Sequence, residues 1–264
     1  HSTRSLRLVL LTRKDPSLPI ATLRAIGQMT EIRMSDLLFT TTEVATFINR
    51  TLDVAVDVDT AALLEMKTEG WAVGLRLVGL YLRGEKDLKA RVQELSGKSG
   101  YIADYLLAEV LSRQPPEMVE YLLETSILDR FCGSLCDHLH CNAANRNCRP
   151  PEGGADQFIQ WLMENHLFVI ALDDEGYWFR YHHLFRDFLS GVLQKQNSAD
   201  RIADLNKVAG TWFAKNDRIE EAVRHLMAGG DTDAAVRLVR QNRHVLMNTS
   251  QFTRLNCLLA VFPE

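Results

Sequence analysis

The sequence has few of the features that mark membrane or exported proteins. Its longest apolar runs, such as those at residues 8–11 and 169–172, are far shorter than the roughly 20 residues of a membrane-spanning helix. Residues 1–11 lack the apolar length and the small-residue cleavage site of a signal peptide. The five cysteines are an odd number at irregular spacing, which favours reduced thiols over a disulfide framework. We therefore expect a cytoplasmic protein with no membrane partner.

The chain also lacks an excess of positive charge and a phosphate-binding loop. Its formal net charge is -4, so no overall positive field favours nucleic acid as a partner of this chain. No G-x-x-x-x-G-K-[ST] segment is present to cradle phosphates, and no apolar strand ends in paired acidic residues that could hold magnesium. We therefore expect this chain not to be catalytic by itself, and any DNA-binding element to lie elsewhere in the protein.

The remaining composition is that of a globular protein with a mainly α, multidomain fold. With 264 residues, 46% hydrophobic and 24% charged, the chain is long enough for two or three cores. Residues 1–35 are the exception to the helical pattern, because residues 6–11 form an apolar run typical of a buried parallel strand and residues 29–34 could form a second strand. Two strands with one crossover helix cannot bury both faces of a sheet. We therefore interpret residues 1–35 as the last part of an α/β domain whose earlier strands are absent.

Residues 36–99 are predicted to form a small helical domain. Thr40 and Glu43 make a capping box at the start of one helix, and Asp57 or Asp59 can cap a second. An apolar stretch over residues 71–82 is typical of a third, packed helix. The charged segment 84–100 ends in Ser-Gly-Lys-Ser-Gly, which indicates a turn-rich boundary between domains.

Residues 100–197 are predicted to form a winged-helix domain, and residues 198–264 the start of an α-solenoid. Helical patterns are followed by a strand, a turn at residues 173–176 and an aromatic strand at residues 177–181, which together form the wing. Paired helices separated by short turns then begin near residue 200, as in stacked helical repeats. The predicted helices cover residues 101–111, 116–125, 131–139, 156–165, 202–214, 219–227, 232–241 and 252–261.

Four motifs carry a resemblance to a known family. They are LVLLTRKDP at residues 8–16, TEGWAVGLRL at 68–77, YLLETSILDRFCGSLCD at 121–137 and YWFRYHHLFRDFLSGVL at 177–193. Together and in this order, they resemble the MalT-like large ATP-binding regulators of LuxR type, a group of signal-transduction ATPases with numerous domains. The resemblance covers nearly the whole chain. It implies a nucleotide-switched regulator of transcription that lacks here both the phosphate-binding loop and the C-terminal helix-turn-helix.

The resemblance also implies which residues face the nucleotide. Arg13, at the end of the first predicted strand, matches an arginine that senses the γ-phosphate of ATP. Gly70 matches a turn that packs near the adenine, although Gly70-Trp71-Ala72 lacks the proline of the usual Gly-x-Pro motif. His182 matches a histidine that contacts the β-phosphate of ADP from the winged helix, and we favour it over His183.

In the family, ADP holds these domains closed, whereas ATP, bound with magnesium, and an inducer open them for self-association. The parent protein would then be a slow ATPase switch, with DNA bound through a C-terminal domain absent here. This chain would bind neither ATP nor ADP tightly by itself.

Two other functions remain open from the sequence. A winged helix can bind nucleic acid, but the helix at residues 131–139 is not basic, and the solenoid could instead be a protein-interaction scaffold without nucleotide switching. A zinc site is a further alternative, although the cysteines show no C-x2-C pair. The residues that would supply it are Cys132, Cys136, His138, His140, Cys141 and Cys148.

Overall fold

A computed structural model describes residues 8–12, 16–85, 87–142, 154–165 and 167–248, with only the backbone for Ser35 and residues 243–248. The described chain is mainly helical, as its sequence predicts, with one two-stranded antiparallel sheet. None of the described helices combines the length and apolar composition that a bilayer crossing requires. The predicted helix at residues 252–261 lies outside the described residues.

The N-terminal stretch does not contain the two predicted strands. Residues 8–12 and 28–33 are irregular, and the elements described here are helix α1 (Ile20–Ala25) and a 3-10 turn (Met34–Leu37). The apolar run lies open, with Leu8 75% and Leu11 97% exposed. A strand needs a neighbour to accept and donate its backbone hydrogen bonds, and none of the described segments pairs with this one. The predicted strands at residues 6–11 and 29–34 are therefore wrong for the part of each that the structure describes, and residues 6 and 7 lie outside that part.

Four helices form what we call the helical unit, residues 41–95. They are α2 (Thr41–Leu52), α3 (Val58–Thr68), α4 (Ala72–Tyr81) and α5 (Leu88–Gln93). The predicted capping box is present, with the Glu43 carboxylate accepting from Thr40 N–H at 2.9 Å, and Asp57 caps α3. Helix α5 lies where the sequence predicts only a boundary, because Val92 and Leu95 pack into the core.

The winged unit, residues 100–196, follows. Its helices are α6 (Gly100–Tyr105), which continues as a π turn (Leu106–Val110) and a 3-10 turn (Leu111–Arg113), then α7 (Pro116–Thr125), α8 (Gly133–Asn142), α9 (Gly154–Glu164) and α10 (His183–Gln196). The wing is an antiparallel pair, β1 (Val169–Ala171) and β2 (Phe179–Tyr181), with Val169 opposite Tyr181. The Asp173 carboxylate accepts from the N–H groups of Tyr177 and Trp178, which fixes the turn between the strands.

Three further helices complete the described chain: α11 (Ala199–Lys215), α12 (Ile219–Ala228) and α13 (Thr232–Asn248). Helices α11 and α12 form a tight hairpin, in which a side chain at Gly210 would lie 2.8 Å from Leu226. One continuous cluster of buried apolar side chains extends from Val44 in α2 through the winged unit to Ala222 in α12. The units therefore pack on one another, and the predicted domain boundaries stay predictions.

Candidate functional site

Two of the three predicted site residues lie at one junction. Gly70 is in the turn between α3 and α4, and His182 is the residue that caps the N-terminus of α10. The two elements meet where His182 Nε2 lies 2.7 Å from the carbonyl oxygen of Thr68, two residues before Gly70. Arg13 lies outside the described residues, so its role stays a prediction. Gly70 and His182, more than 100 residues apart in the sequence, thus lie at one buried junction, and their roles toward a nucleotide stay predictions.

Both ring nitrogens of His182 are used within the chain. Its Nδ1 accepts the backbone N–H of Leu184 at 3.2 Å, so the proton of the neutral ring is on Nε2 and is donated to Thr68. The side chain is only 6% exposed, and this burial lowers the pKa of His182 below its ordinary value. His182 is therefore a neutral donor whose N–H points at a single oxygen acceptor.

Trp71 forms an aromatic wall beside His182. Its ring centroid lies 4.9 Å from that of Phe168, 5.9 Å from that of His182 and 6.0 Å from that of Tyr105. Trp71 belongs to the helical unit and the other three residues belong to the winged unit. A side chain at Gly74 would lie 2.4 Å from the Trp71 ring. The absence of a side chain at this position of α4 therefore leaves room for the ring.

The backbone conformation at position 70 and the close approach of Phe39 both favour glycine there. Its φ is +70°, and a side chain there would come within 2.6 Å of the carbonyl oxygen of Phe39. Phe39 N–H in turn donates to Gly70 O at 2.9 Å. The close approach predicted for a flat ligand at Gly70 is thus made by the segment before α2. A nucleotide could meet Gly70 from this side only after Phe39 moved away.

Sequence reasoning did not identify Glu69 and Arg180 as site residues. The Glu69 carboxylate accepts two hydrogen bonds from the Arg180 guanidinium, at 2.9 and 3.0 Å, and a third from the His183 N–H at 3.0 Å. Burial alone would raise the pKa of Glu69, but these hydrogen bonds outweigh burial and lower it below its ordinary value. No local sequence signal could have paired them, because 111 residues separate Glu69 from Arg180.

A second polar junction joins the segment between α7 and α8 to helices α10 and α12. Arg130 pairs with Glu221, and Asp129 pairs with both Arg186 and Arg224. The guanidinium groups of Arg130 and Arg218 both lie over the Trp178 ring, at 5.0 and 5.2 Å from its centroid. A cavity of about 520 Å³ opens here, but its walls carry equal numbers of acidic and basic side chains. The positive and negative charges of the walls offset one another, so the cavity favours no particular charge of ligand.

The proposed zinc ligands are dispersed in the described part of the chain. Cys132 and Cys136 are fully buried in the apolar core, and His140 Nδ1 lies 2.8 Å from the Glu124 carboxylate. Among the described residues no three side chains of the metal-binding types converge, and Cys148 lies outside them. Buried thiols of this kind pack as small apolar side chains.

Comparisons with known proteins agree with this architecture. Residues 107–201 match the family described as the MalT winged helix domain. The chain is 34% identical over 98% of its length to the serine/threonine-protein kinase PknK of Mycobacterium tuberculosis, of which the match covers 22%. It is 28% and 29% identical over its full length to the HTH-type transcriptional regulators MalT of Yersinia enterocolitica and Klebsiella pneumoniae, covering 28% of each.

The chain therefore spans about a quarter of the length of the curated relatives it matches. Its resemblance to them extends beyond the winged unit, through the helical unit on one side and α11 to α13 on the other. The chain is MalT-like in sequence over its whole length, and its residues 107–201 match the MalT winged helix domain.

Proposed function

We propose that this chain is the relay of a nucleotide-switched regulator of transcription, which passes the ADP or ATP state of its parent protein to the helices that follow. The observation that carries the proposal is the contact of His182 with Thr68, across the junction of the helical and winged units. A histidine with a fixed Nε2–H, aimed at one oxygen, can donate to a phosphate oxygen in the same way. Phosphate and Thr68 would then be alternative acceptors of the same proton.

The similar proteins support a role for this chain in relaying a signal, and not in carrying out the activity that the signal controls. The same segment is similar to part of a protein named as a kinase and to part of proteins named as transcriptional regulators. A segment that is shared by proteins with two different activities is best suited to controlling those activities. Regulation of transcription is favoured here because the winged unit matches the MalT family itself.

The described residues fit a nucleotide only in part. His182 offers one donor, which ADP would use through its β-phosphate, while the turn at Gly70 is filled on one side by Phe39. The phosphate-binding loop and the magnesium ligands would come from the parent protein, and Arg13 would meet the γ-phosphate of ATP. An inducer bound by the parent would then favour the open, self-associating state.

The test is the His182→Ala variant of the full-length protein, with His183→Ala as the matched control. His183 is exposed, and its imidazole lies 3.6 Å from Glu69, whereas His182 has both nitrogens engaged. Loss of one hydrogen bond to a charged group costs about 1.5 to 3 kcal/mol, which shifts a two-state switch by roughly tenfold or more. We expect His182→Ala to release ADP faster and to raise transcription without inducer, while His183→Ala stays close to wild type.

A second variant separates the two nucleotide states. Arg13→Ala is expected to keep ADP binding and to lose ATP-driven assembly, measured by light scattering, with Arg13→Lys restoring part of it. His182→Ala should therefore be too active without inducer, whereas Arg13→Ala should assemble too little with ATP. An unchanged ADP off-rate in His182→Ala, with transcription still dependent on inducer, would contradict the proposal.

A further inference from the structure

We propose that the cleft beside Trp178 binds a free amino acid with an apolar side chain, such as leucine. The cleft consists of two adjoining cavities, with α12 and the turn before it on one side and Arg130 and Leu172 on the other. Amino-acid binding there is independent of nucleotide switching, because no lining residue of the cleft belongs to the junction of Gly70 and His182.

Two neighbouring side chains of opposite charge line the larger cavity without an ion pair. They are Asp217 and Arg218, in the turn that leads into α12. The other arginines of this cavity, Arg130 and Arg224, each pair with a carboxylate. Among the described residues, none forms an ion pair with Asp217 or Arg218. The volume of about 520 Å³ is that of a small-molecule site. A ligand that carries one carboxylate and one ammonium group therefore matches the two unpaired charges and has no net charge of its own.

Trp178 positions the Arg218 guanidinium for the carboxylate. The guanidinium groups of Arg218 and Arg130 lie 5.2 and 5.0 Å from the centroid of its ring. An arginine that lies over an aromatic ring is attracted to the ring face, while its N–H groups stay able to donate. Burial lowers the pKa of Arg130, and the neighbouring charges of Arg218 and Arg224 lower it further. Arg130 is thus repelled by both, and a ligand carboxylate beside Arg218 would relieve that repulsion.

The smaller cavity, of about 230 Å³, suits an apolar side chain. It shares three lining residues with the larger cavity, so the two adjoin. Leu172 and Phe213 supply an apolar wall, which the described lining of the larger cavity does not have. The four charged side chains that line the smaller cavity form two ion pairs with one another. His225 also lines it and stays neutral, because burial lowers its pKa to about 4. A ligand with its charged groups at Asp217 and Arg218 can therefore place an aliphatic side chain here.

An NMR titration of the 264-residue chain with L-leucine tests the site, with the backbone amides of Leu172 and Arg218 as reporters. Three analogues each lack one feature of leucine: 4-methylpentanoate lacks the ammonium group, 3-methylbutylamine lacks the carboxylate, and glycine lacks the side chain. We expect L-leucine to shift both amides and each analogue to bind at least about tenfold more weakly.

Two variants assign the ligand charges to residues. Asp217→Asn and Arg218→Gln should each weaken L-leucine binding about tenfold. Asparagine suits position 217 because it tolerates the φ of +58° found there. Asp217→Asn should not weaken 4-methylpentanoate, which has no ammonium group, and Arg218→Gln should not weaken 3-methylbutylamine, which has no carboxylate. The matched control is Arg237→Gln, which removes an exposed arginine of α13 that lines neither cavity and should leave L-leucine affinity unchanged.

Thermal melting of each variant shows that it is folded. If Arg218→Gln does not fold, Arg218→Lys takes its place, with a smaller loss expected because lysine keeps the charge without the planar fork.

Three results would overturn the amino-acid site. One is the absence of any shift of the two reporter amides on addition of L-leucine. Another is an analogue with a single charge that binds as tightly as L-leucine, which would leave only a site for one charge. The third is wild-type affinity in both Asp217→Asn and Arg218→Gln, or an equal loss in Arg237→Gln, which would place leucine elsewhere. Because no nucleotide is present, these outcomes do not depend on whether His182 meets a phosphate.

Discussion

At the scale of single residues, the position of His182 could be predicted but its partner could not. The aromatic strand running into an amphipathic pattern places His182 at a strand-to-helix junction, and the structure has it at the N-terminal cap of α10. Its bond to Thr68 spans 114 residues. Local patterns contain no information about such a pairing, since it is created by the packing of two units.

Gly70 gives a prediction at the same scale. In Gly70→Ala, the new side chain meets the Phe39 carbonyl oxygen at 2.6 Å, and alanine is also strained at a φ of +70°. We expect the free energy of unfolding to fall by about 2 to 4 kcal/mol, measured by urea denaturation.

The control for this variant is Gly84→Ala. Gly84 has a φ of +83° but no atom within 4 Å of the added carbon, so only the backbone term of about 1 kcal/mol applies. If the two variants lost the same free energy of unfolding, the backbone of Phe39 would have to move away from the added carbon without a free-energy cost. That result would contradict the tight contact between Gly70 and Phe39.

At the scale of helices and strands, periodicity predicted most elements. The capping box before α2 and the proline at the start of α7 gave their N-termini directly. The failures are α5 and the N-terminal strands. Helix α5 is short and charged, and it forms because Val92 and Leu95 are buried against the rest of the helical unit. The strands fail for the converse reason, since an apolar run becomes a strand only beside another strand.

The hairpin of α11 and α12 makes a prediction about pH. His225 in α12 lies with its Nδ1 2.9 Å from the Asn206 side-chain oxygen in α11, and its ring stacks on Phe213 at 5.4 Å. Burial lowers the pKa of His225 from 6.5 to about 4. Below pH 6.5 the unfolded chain takes up a proton that the folded chain refuses, so stability at this site is complete above pH 6.5 and is lost as the pH falls towards 4.

The measurement compares the chain with its His225→Gln variant. When the pH is lowered from 7.5 to 5, the chain with His225 is expected to lose roughly 2 kcal/mol of its free energy of unfolding at this site. The His225→Gln variant is expected to keep it, because glutamine does not titrate. The gap between the two thermal melting curves should therefore shift in favour of His225→Gln on acidification. Parallel pH profiles would show that His225 is not held in its neutral form by the fold.

At the scale of the whole molecule, the proposed phosphate contact relies on a single residue of the described chain, His182, whose Nε2 meets Thr68 in this structure. We expect isothermal titration calorimetry of the 264-residue chain to show no micromolar affinity for ATP or ADP, and no hydrolysis, since phosphate loops supply most of the oriented donors. The full-length protein, titrated under the same conditions, is the positive control. Micromolar binding to this chain would mean that other residues, outside the site described here, hold the nucleotide.

The continuous core has a practical consequence for dissecting the protein. The match to the MalT winged helix domain begins at residue 107, inside the π turn of residues Leu106–Val110, and ends at residue 201, near the start of α11. Cutting the gene at those limits would sever two helices and uncover the apolar faces that Ile102 and Phe213 now close. A recombinant winged helix is better taken from residue 96 to residue 230, so that each cut falls in a turn and the wing keeps the hairpin that covers it.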